Sequence, residues 1–135
     1  MRDFTKEWLK AAVDDLITID EIIDNISLTH VVAFHSQQCI EKIMKALVEE
    51  YEIDIPKIHK LVKLNVIIDN KLDIDNVDML KRLDTLYIES RYPGDMGLLP
   101  NGKPTLEEAK EFCIFSKDTF EKVCKILKTN KDELI

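Results

Sequence analysis

Apolar residues recur at three- and four-residue intervals along most of this chain, and this helical period constrains the fold more than any other feature. The first apolar stripe comprises Phe4, Trp8, Ala12, Leu16, Ile19, Ile23 and Ile26. No stretch alternates with period two over the length of a strand, and no repeat with a period of roughly 20 to 50 residues occurs. The pattern predicts an all-α fold, an antiparallel bundle of about five helices.

The remaining helices are predicted from further stripes and from their start and stop signals. They are expected at about Thr29–Tyr51, at Ile58–Ile68, at Asn76–Ile88 and from Thr105 to about Lys128. Thr105-Leu106-Glu107-Glu108 has the pattern of a capping box, which marks the start of the last helix most clearly. In the first helix, four acidic residues lie off the apolar stripe, namely Asp14, Asp15, Asp20 and Glu21.

Length and charge bound the kind of protein. The chain has 135 residues, so a single domain over residues 1–135 is expected. The formal charge of −7 argues against nonspecific nucleic-acid binding across the whole surface, so any such contact must be focused on a local basic patch. No apolar run is long enough to span a bilayer and no signal-peptide core is visible, which predicts a cytoplasmic protein that has no membrane partner.

The three cysteines do not indicate a metal or redox site. Cys39, Cys113 and Cys124 are far apart and lack the paired spacing of zinc ligands, so they are expected to be buried free thiols. Gly-rich phosphate loops and the common hydrolase and metalloprotease signatures are also absent. We therefore expect no metal and no cofactor.

The junction Ser90-Arg91-Tyr92-Pro93 is the leading candidate for a binding site. Pro93 disfavours helical structure at Tyr92, so Arg91 and Tyr92 are expected at the ragged end of the fourth helix. Arg91 would reach a phosphate or carboxylate, and Tyr92 would stack on a base or orient a phosphate. Alternatively, Arg91 pairs with a carboxylate of the first helix and Tyr92 plugs the end of the bundle. The connection 91–103 is the first place to look for a site.

Two other groups of polar residues are candidates. On the second helix a broad polar sector could line a groove; it contains His35, Gln38, Glu41, Lys42 and Lys45. The alternative is that Glu41 and Lys45 form an exposed pair, that Lys42 is solvated and that Gln38 binds the backbone of a neighbouring helix.

His59 begins the third helix, close to Lys57, Lys60 and Lys63. His59 and His35 are the candidates for acid/base chemistry near neutral pH. The alternatives are that His59 caps or packs the helix and that the lysines form a solvated face.

Taken in order and spacing, several of these motifs resemble the HEPN (higher eukaryotes and prokaryotes nucleotide-binding) family, in its small stand-alone prokaryotic type with an SRYP motif. They are Trp8, Ala12, Asp15-Leu16, the segment Phe34–Lys42 with Lys45-Ala46-Leu47, His59-Lys60-Leu61, Tyr87 and Ser90–Pro93. The resemblance implies an up-and-down helical bundle related to the substrate-binding domains of nucleotidyltransferases, usually a homodimer. Many such proteins look like partners of small nucleotidyltransferases in toxin–antitoxin pairs.

The chain departs from the ribonuclease members of that family, which carry an arginine followed four to six residues later by a histidine. No histidine follows Arg91 at that distance. We therefore predict a noncatalytic module that binds a nucleotide or phosphate through Arg91, Tyr92, His59, Gln38 and Lys42. One alternative is a metal-independent ribonuclease toxin in which His59 or His35 is displaced in sequence. Another is a structural dimer that recruits a different protein.

Overall fold

The computed structural model describes residues 1–54, 57–90 and 102–135, with the backbone alone at positions 89 and 90. Within these ranges the chain forms six helices and no strand, which confirms the predicted all-α bundle. The helices are α1 (Asp3–Ile22), α2 (Thr29–Glu50), α3 (Leu61–Ile67), α4 (Val77–Ser90), α5 (Leu106–Leu127) and α6 (Lys131–Leu134). None of them combines the length and the apolar character needed to cross a membrane.

Helix α2 is the centre of the bundle and contacts α1, α3, α4 and α5. It runs antiparallel to α1, because Arg2 at the start of α1 meets the end of α2. The Arg2 guanidinium donates to Glu52 at 3.1 Å, and its backbone N–H donates to Glu50 at 2.9 Å. That backbone hydrogen bond holds the pKa of the Glu50 carboxyl below its ordinary value. The two helices are therefore joined by charge as well as by packing.

Apolar side chains from α1 to α6 meet in one main core. Its fully buried members include Leu9, Ile40, Leu83 and Phe112, and each such side chain contributes roughly 1.5–3 kcal/mol when it leaves water. A smaller cluster that includes Ile19 joins α1 to α2 and α5. The core fixes α2 on several sides, so the polar residues of α2 are held on a rigid frame.

The predicted stripe of α1 is wrong at its two ends. Phe4 is 70% exposed and Ile26 is 72% exposed, while Thr5 is fully buried. Ile26 falls out of the helical phase because α1 ends at Ile22 and a short 3-10 turn begins at Ile26. The buried face also includes Val13 and Asp15, so it is wider than the apolar residues alone indicate.

The cysteines confirm the prediction of buried free thiols. Cys39, Cys113 and Cys124 are all buried and unpaired. Burial raises the pKa of the Cys39 thiol well above its ordinary value and that of Cys124 to about 11. The reactive thiolate is therefore disfavoured at both positions.

Helix α5 begins with the predicted capping box. The Thr105 side chain accepts from the Glu108 backbone at 3.0 Å, and the Glu108 carboxylate accepts from the Thr105 backbone at 3.0 Å. Arg82 on α4 donates to the same carboxylate at 2.7 Å. These contacts hold the pKa of the Glu108 carboxyl below its ordinary value of 4.5. The hydrogen bond from the Thr105 backbone N–H has the largest effect on this pKa.

Replacing Glu108 by alanine should lower the free energy of unfolding by about 1 kcal/mol at pH 7, because one cap contact and one exposed ion pair are lost. Since folding lowers the pKa of Glu108, its stabilising effect is present above the ordinary value of 4.5 and is lost as the pH falls through the lower folded-state value. Urea unfolding at pH 7 and pH 3 measures this. Glu107→Ala in the same helical turn is the control, and equal losses in both variants would contradict the prediction.

Candidate functional site: two charge clusters and a basic groove

The polar residues of α2 belong to two charge clusters. The Asp15 cluster consists of Asp15, His35 and Lys42. The Glu41 cluster consists of Glu41, Lys45 and His59. Helical spacing places Glu41 and Lys45 one turn apart, and α1 and the segment before α3 supply the remaining partners.

The Asp15 cluster joins α1 to α2. Lys42 Nζ lies 2.7 Å from one carboxylate oxygen of Asp15, and His35 Nδ1 lies 2.9 Å from the other. Asp15 is only 5% exposed, so its carboxylate depends on these two partners in place of water. The expectation that Lys42 is solvated is therefore wrong, because its ammonium group is paired with a buried carboxylate.

The Glu41 cluster joins α2 to the segment that precedes α3. Lys45 Nζ lies 2.9 Å from Glu41 Oε2, and His59 Nδ1 lies 3.4 Å from the same oxygen. Lys45 also lies above the Trp8 ring, 5.4 Å from its centroid. The predicted pair of Glu41 and Lys45 forms, but its side chains are 9% and 18% exposed, so it is largely buried.

Gln37, which sequence reasoning overlooked, connects these groups. Its amide nitrogen donates to Glu41 Oε1 and to the backbone carbonyl of His59, both at 3.3 Å. Gln38 donates to the Gln37 side-chain oxygen at 2.9 Å. The amide that binds a neighbouring backbone is thus that of Gln37, not that of Gln38 as expected. A glutamine on the buried side of a helix is the signal that could have identified it.

Asp84 on α4 fixes the start of α3. Its carboxylate accepts from the backbone N–H of Leu61 at 2.9 Å and of Val62 at 3.2 Å. The hydrogen bonds satisfy two donors that a helix start leaves unpaired. Asp84, and not His59, therefore caps α3, and the His59 side chain is 64% exposed.

A groove of about 310 Å³ lies where α2, α3 and α4 meet, and we call it the α3–α4 groove. It is lined by Gln37, Lys57, Ile58, His59, Lys60, Lys63, Asp84, Tyr87 and Ile88. The three lysines that were expected to form a solvated face are exposed, and they also line this groove.

The groove is locally basic in an acidic protein. Among the described residues, its lining contains three lysines and one carboxylate, that of Asp84, which already accepts from the two backbone N–H groups of α3. Tyr87 forms part of the wall, and its ring stacks on that of Phe34 with 5.5 Å between centroids. The arrangement offers several cations to an anionic ligand.

A larger depression of about 440 Å³ lies between α1, α5 and α6, and we consider it a weaker candidate. Its Lys117 is paired with Asp20 at 2.7 Å, a hydrogen bond that raises the pKa of the lysine. Glu121 adds a second carboxylate to the lining. The sequence-predicted site residues do not line it.

The structure brings together only some of the predicted site residues. His59 lines the α3–α4 groove. Gln38 does not line it but donates a hydrogen bond to Gln37, which does. Lys42 and His35 belong to the Asp15 cluster. Arg91 and Tyr92 lie outside the described residues. In the sequence, Arg91 directly follows α4, the helix that contributes Tyr87 to the groove.

The protein is an all-α bundle whose central helix α2 carries two clusters of paired charges. The same helix borders the basic α3–α4 groove. The family model of the HEPN domain matches residues 5–128, and the chain therefore belongs to the HEPN family. No curated protein and no solved structure shows significant similarity to it.

Proposed function

We propose that this HEPN protein is a noncatalytic module that binds the phosphate group of a nucleotide or of RNA in the α3–α4 groove. The observation that carries the proposal is the grouping of Lys57, Lys60, Lys63 and His59 around one groove. Arg91 and Tyr92, from the segment after α4, are proposed to complete the site. Arginine matches a phosphate with two parallel hydrogen bonds, which a lysine does not provide.

The charge distribution favours a focused phosphate contact. With a formal charge of −7 the molecule as a whole repels polyanions, so attraction depends on the local excess of cations at the groove. Lysine side chains there remain exposed and free to move toward a ligand. Binding of this kind weakens as salt increases, because ions in solution screen it.

Gln38 and Lys42 have supporting roles in this proposal. Gln38 holds the Gln37 amide that contacts the His59 backbone. Lys42, on the same helix as Gln38, neutralises the buried Asp15 carboxylate of α1. They maintain the shape of the site and leave direct ligand contact to His59, the groove lysines and Arg91.

We further propose that the protein works as a cytoplasmic homodimer with a small nucleotidyltransferase, in a pair of the toxin–antitoxin kind. Family membership supports the proposal. Exposed apolar side chains offer surface for such contacts; they include Phe4 at 70%, Val66 at 68% and Ile114 at 60%. Light scattering and co-purification of the partner test it, and a monomer without a partner would contradict it.

A second candidate function is a metal-independent ribonuclease in which the histidine is displaced in sequence. The observation that favours it is the 2.9 Å contact between His35 Nδ1 and the buried Asp15 carboxylate. Such a carboxylate orients an imidazole and leaves the other ring nitrogen to exchange a proton with a ribose hydroxyl.

The deciding experiment is incubation of the purified protein with labelled total RNA in chelator, together with calorimetric titration with pyrophosphate. The binding module predicts intact RNA, and pyrophosphate binding that Arg91→Ala abolishes. Arg82→Ala, which removes the same charge from α4, is the control and should retain binding. RNA cleavage that is lost in Arg91→Ala and His35→Ala would instead establish the ribonuclease, and neither binding nor cleavage would overturn both candidates.

A further inference from the structure

We propose that Glu41 is a positioning residue that turns Nδ1 of His59 toward α2, so that Nε2 is the nitrogen that meets a ligand in the α3–α4 groove. The inference rests on the proposed function, because it concerns how the same groove engages its ligand. The buried carboxylate of Glu41 would orient the His59 ring without touching the ligand itself.

The positions of two charged groups restrict the orientation of the imidazole. His59 Nδ1 lies 3.4 Å from Glu41 Oε2 and 3.4 Å from Lys45 Nζ. A carboxylate only accepts hydrogen bonds and an ammonium group only donates them, so Nδ1 either donates to Glu41 or accepts from Lys45. In both arrangements Nδ1 is occupied on the α2 side, and Nε2 is left for the groove.

The contact with Glu41 is the stronger of the two. The Glu41 side chain is only 9% exposed, so water competes little for its oxygen, and a hydrogen bond to an ionised carboxylate is stronger than a neutral one. Lys45 already donates to the same oxygen at the shorter distance of 2.9 Å. Neutral His59 therefore carries its proton on Nδ1 and presents Nε2 as an acceptor. Protonated His59 presents Nε2 as a donor, which suits a phosphate oxygen.

Gln37 fixes Glu41 relative to the backbone of His59. One amide nitrogen donates both to Glu41 Oε1 and to the His59 carbonyl, each at 3.3 Å, and Gln37 itself is 1% exposed. The exposed imidazole of His59 is thus held at two points, the backbone carbonyl of the residue and the ring nitrogen Nδ1. The other charged residues in the described lining of the groove are Lys57, Lys60, Lys63 and Asp84.

A double-mutant cycle with pyrophosphate as the probe tests the inference. Removing the negative charge of Glu41 favours anion binding directly, but that effect is common to both arms of the cycle and cancels. The titration is made at a pH acidic enough to protonate imidazole, so that Nε2 can donate to a phosphate oxygen. In the wild-type background His59→Ala should then weaken binding about tenfold, the effect of one lost hydrogen bond to a charged group. In the Glu41→Gln background the same change should cost about threefold or less.

The ring itself supplies an independent readout. The ¹⁵N chemical shifts of His59 should show Nδ1 protonated at neutral pH in the wild type, and a mixed tautomer population in Glu41→Gln. Glu49→Gln, near the end of the same helix, is the control, and circular dichroism verifies that each variant is folded.

The outcomes separate the two proposals. Unchanged ¹⁵N shifts in Glu41→Gln, together with equal losses in both arms of the cycle, would overturn the positioning role while the binding site stands. Wild-type protein that does not bind pyrophosphate would overturn the binding site. A tautomer change in Glu41→Gln would then show that Glu41 orients the His59 ring, but the role of Nε2 toward a ligand would be overturned with the site.

Discussion

Replacing Lys57, Lys60 and Lys63 together by alanine should weaken pyrophosphate binding by at least about a hundredfold. Hydrogen bonds to charged groups contribute about 1.5–3 kcal/mol each, so the loss of even two such contacts accounts for a factor of that size. All three side chains are exposed, and the variant should therefore retain its fold. Isothermal titration calorimetry measures the effect.

The matched control for this prediction removes three exposed lysines elsewhere, namely Lys6, Lys81 and Lys110. It changes the net charge by the same amount, so any difference between the two triple variants reports the location of the charge. Equal weakening in both would show that the ligand senses only the overall charge of the protein, and the groove would lose its assignment. The wild-type affinity should also decrease with added salt.

Replacing Asp15 by alanine should lower the free energy of unfolding by about 3 kcal/mol, the lower end of the range for breaking a buried ion pair. The lower end applies because Lys42 and His35 keep 24% and 25% of their side chains exposed and can recover some hydration. Urea denaturation monitored by circular dichroism measures the loss. It is a large part of the roughly 5–15 kcal/mol that a domain of this kind has available.

Asp14→Ala, at the neighbouring position of α1, is the control for Asp15→Ala. Asp14 is exposed, and both changes replace aspartate by the better helix former alanine, so the propensity gain is the same. The control should stay within about 0.5 kcal/mol of the wild type. Similar stability in the two variants would show that the Asp15 cluster adds nothing to the fold.

The helices could be predicted from the sequence because their signals are local. Apolar spacing and the capping box place α2 and α5 almost where they occur. The third helix is shorter than predicted, since it starts at Leu61 and not at Ile58. The carboxylate that caps it comes from Asp84, 23 positions away from Leu61, and periodicity carries no information about such a partner.

The candidate site was predictable only in part, for the same reason. His59 and its lysines attract attention in the sequence, and they do line a groove. The sequence pattern puts Asp15 off the apolar stripe because the residue is acidic. Its burial depends on Lys42, which is 27 positions away. Charge pairs between helices become visible only once the packing of α1 against α2 is known.

The two hydrogen bonds from α3 to Asp84, together with the buried leucines of the two helices, hold the walls of the α3–α4 groove at their spacing. To move α3 away from α4, the protein would have to leave two backbone N–H groups without a partner. The width of the groove therefore depends on the buried core and on the Asp84 carboxylate, whereas its positive charge comes from the exposed lysines 57, 60 and 63. Ligand preference can consequently diverge through substitutions at those surface positions alone, while the frame that holds them is inherited unchanged.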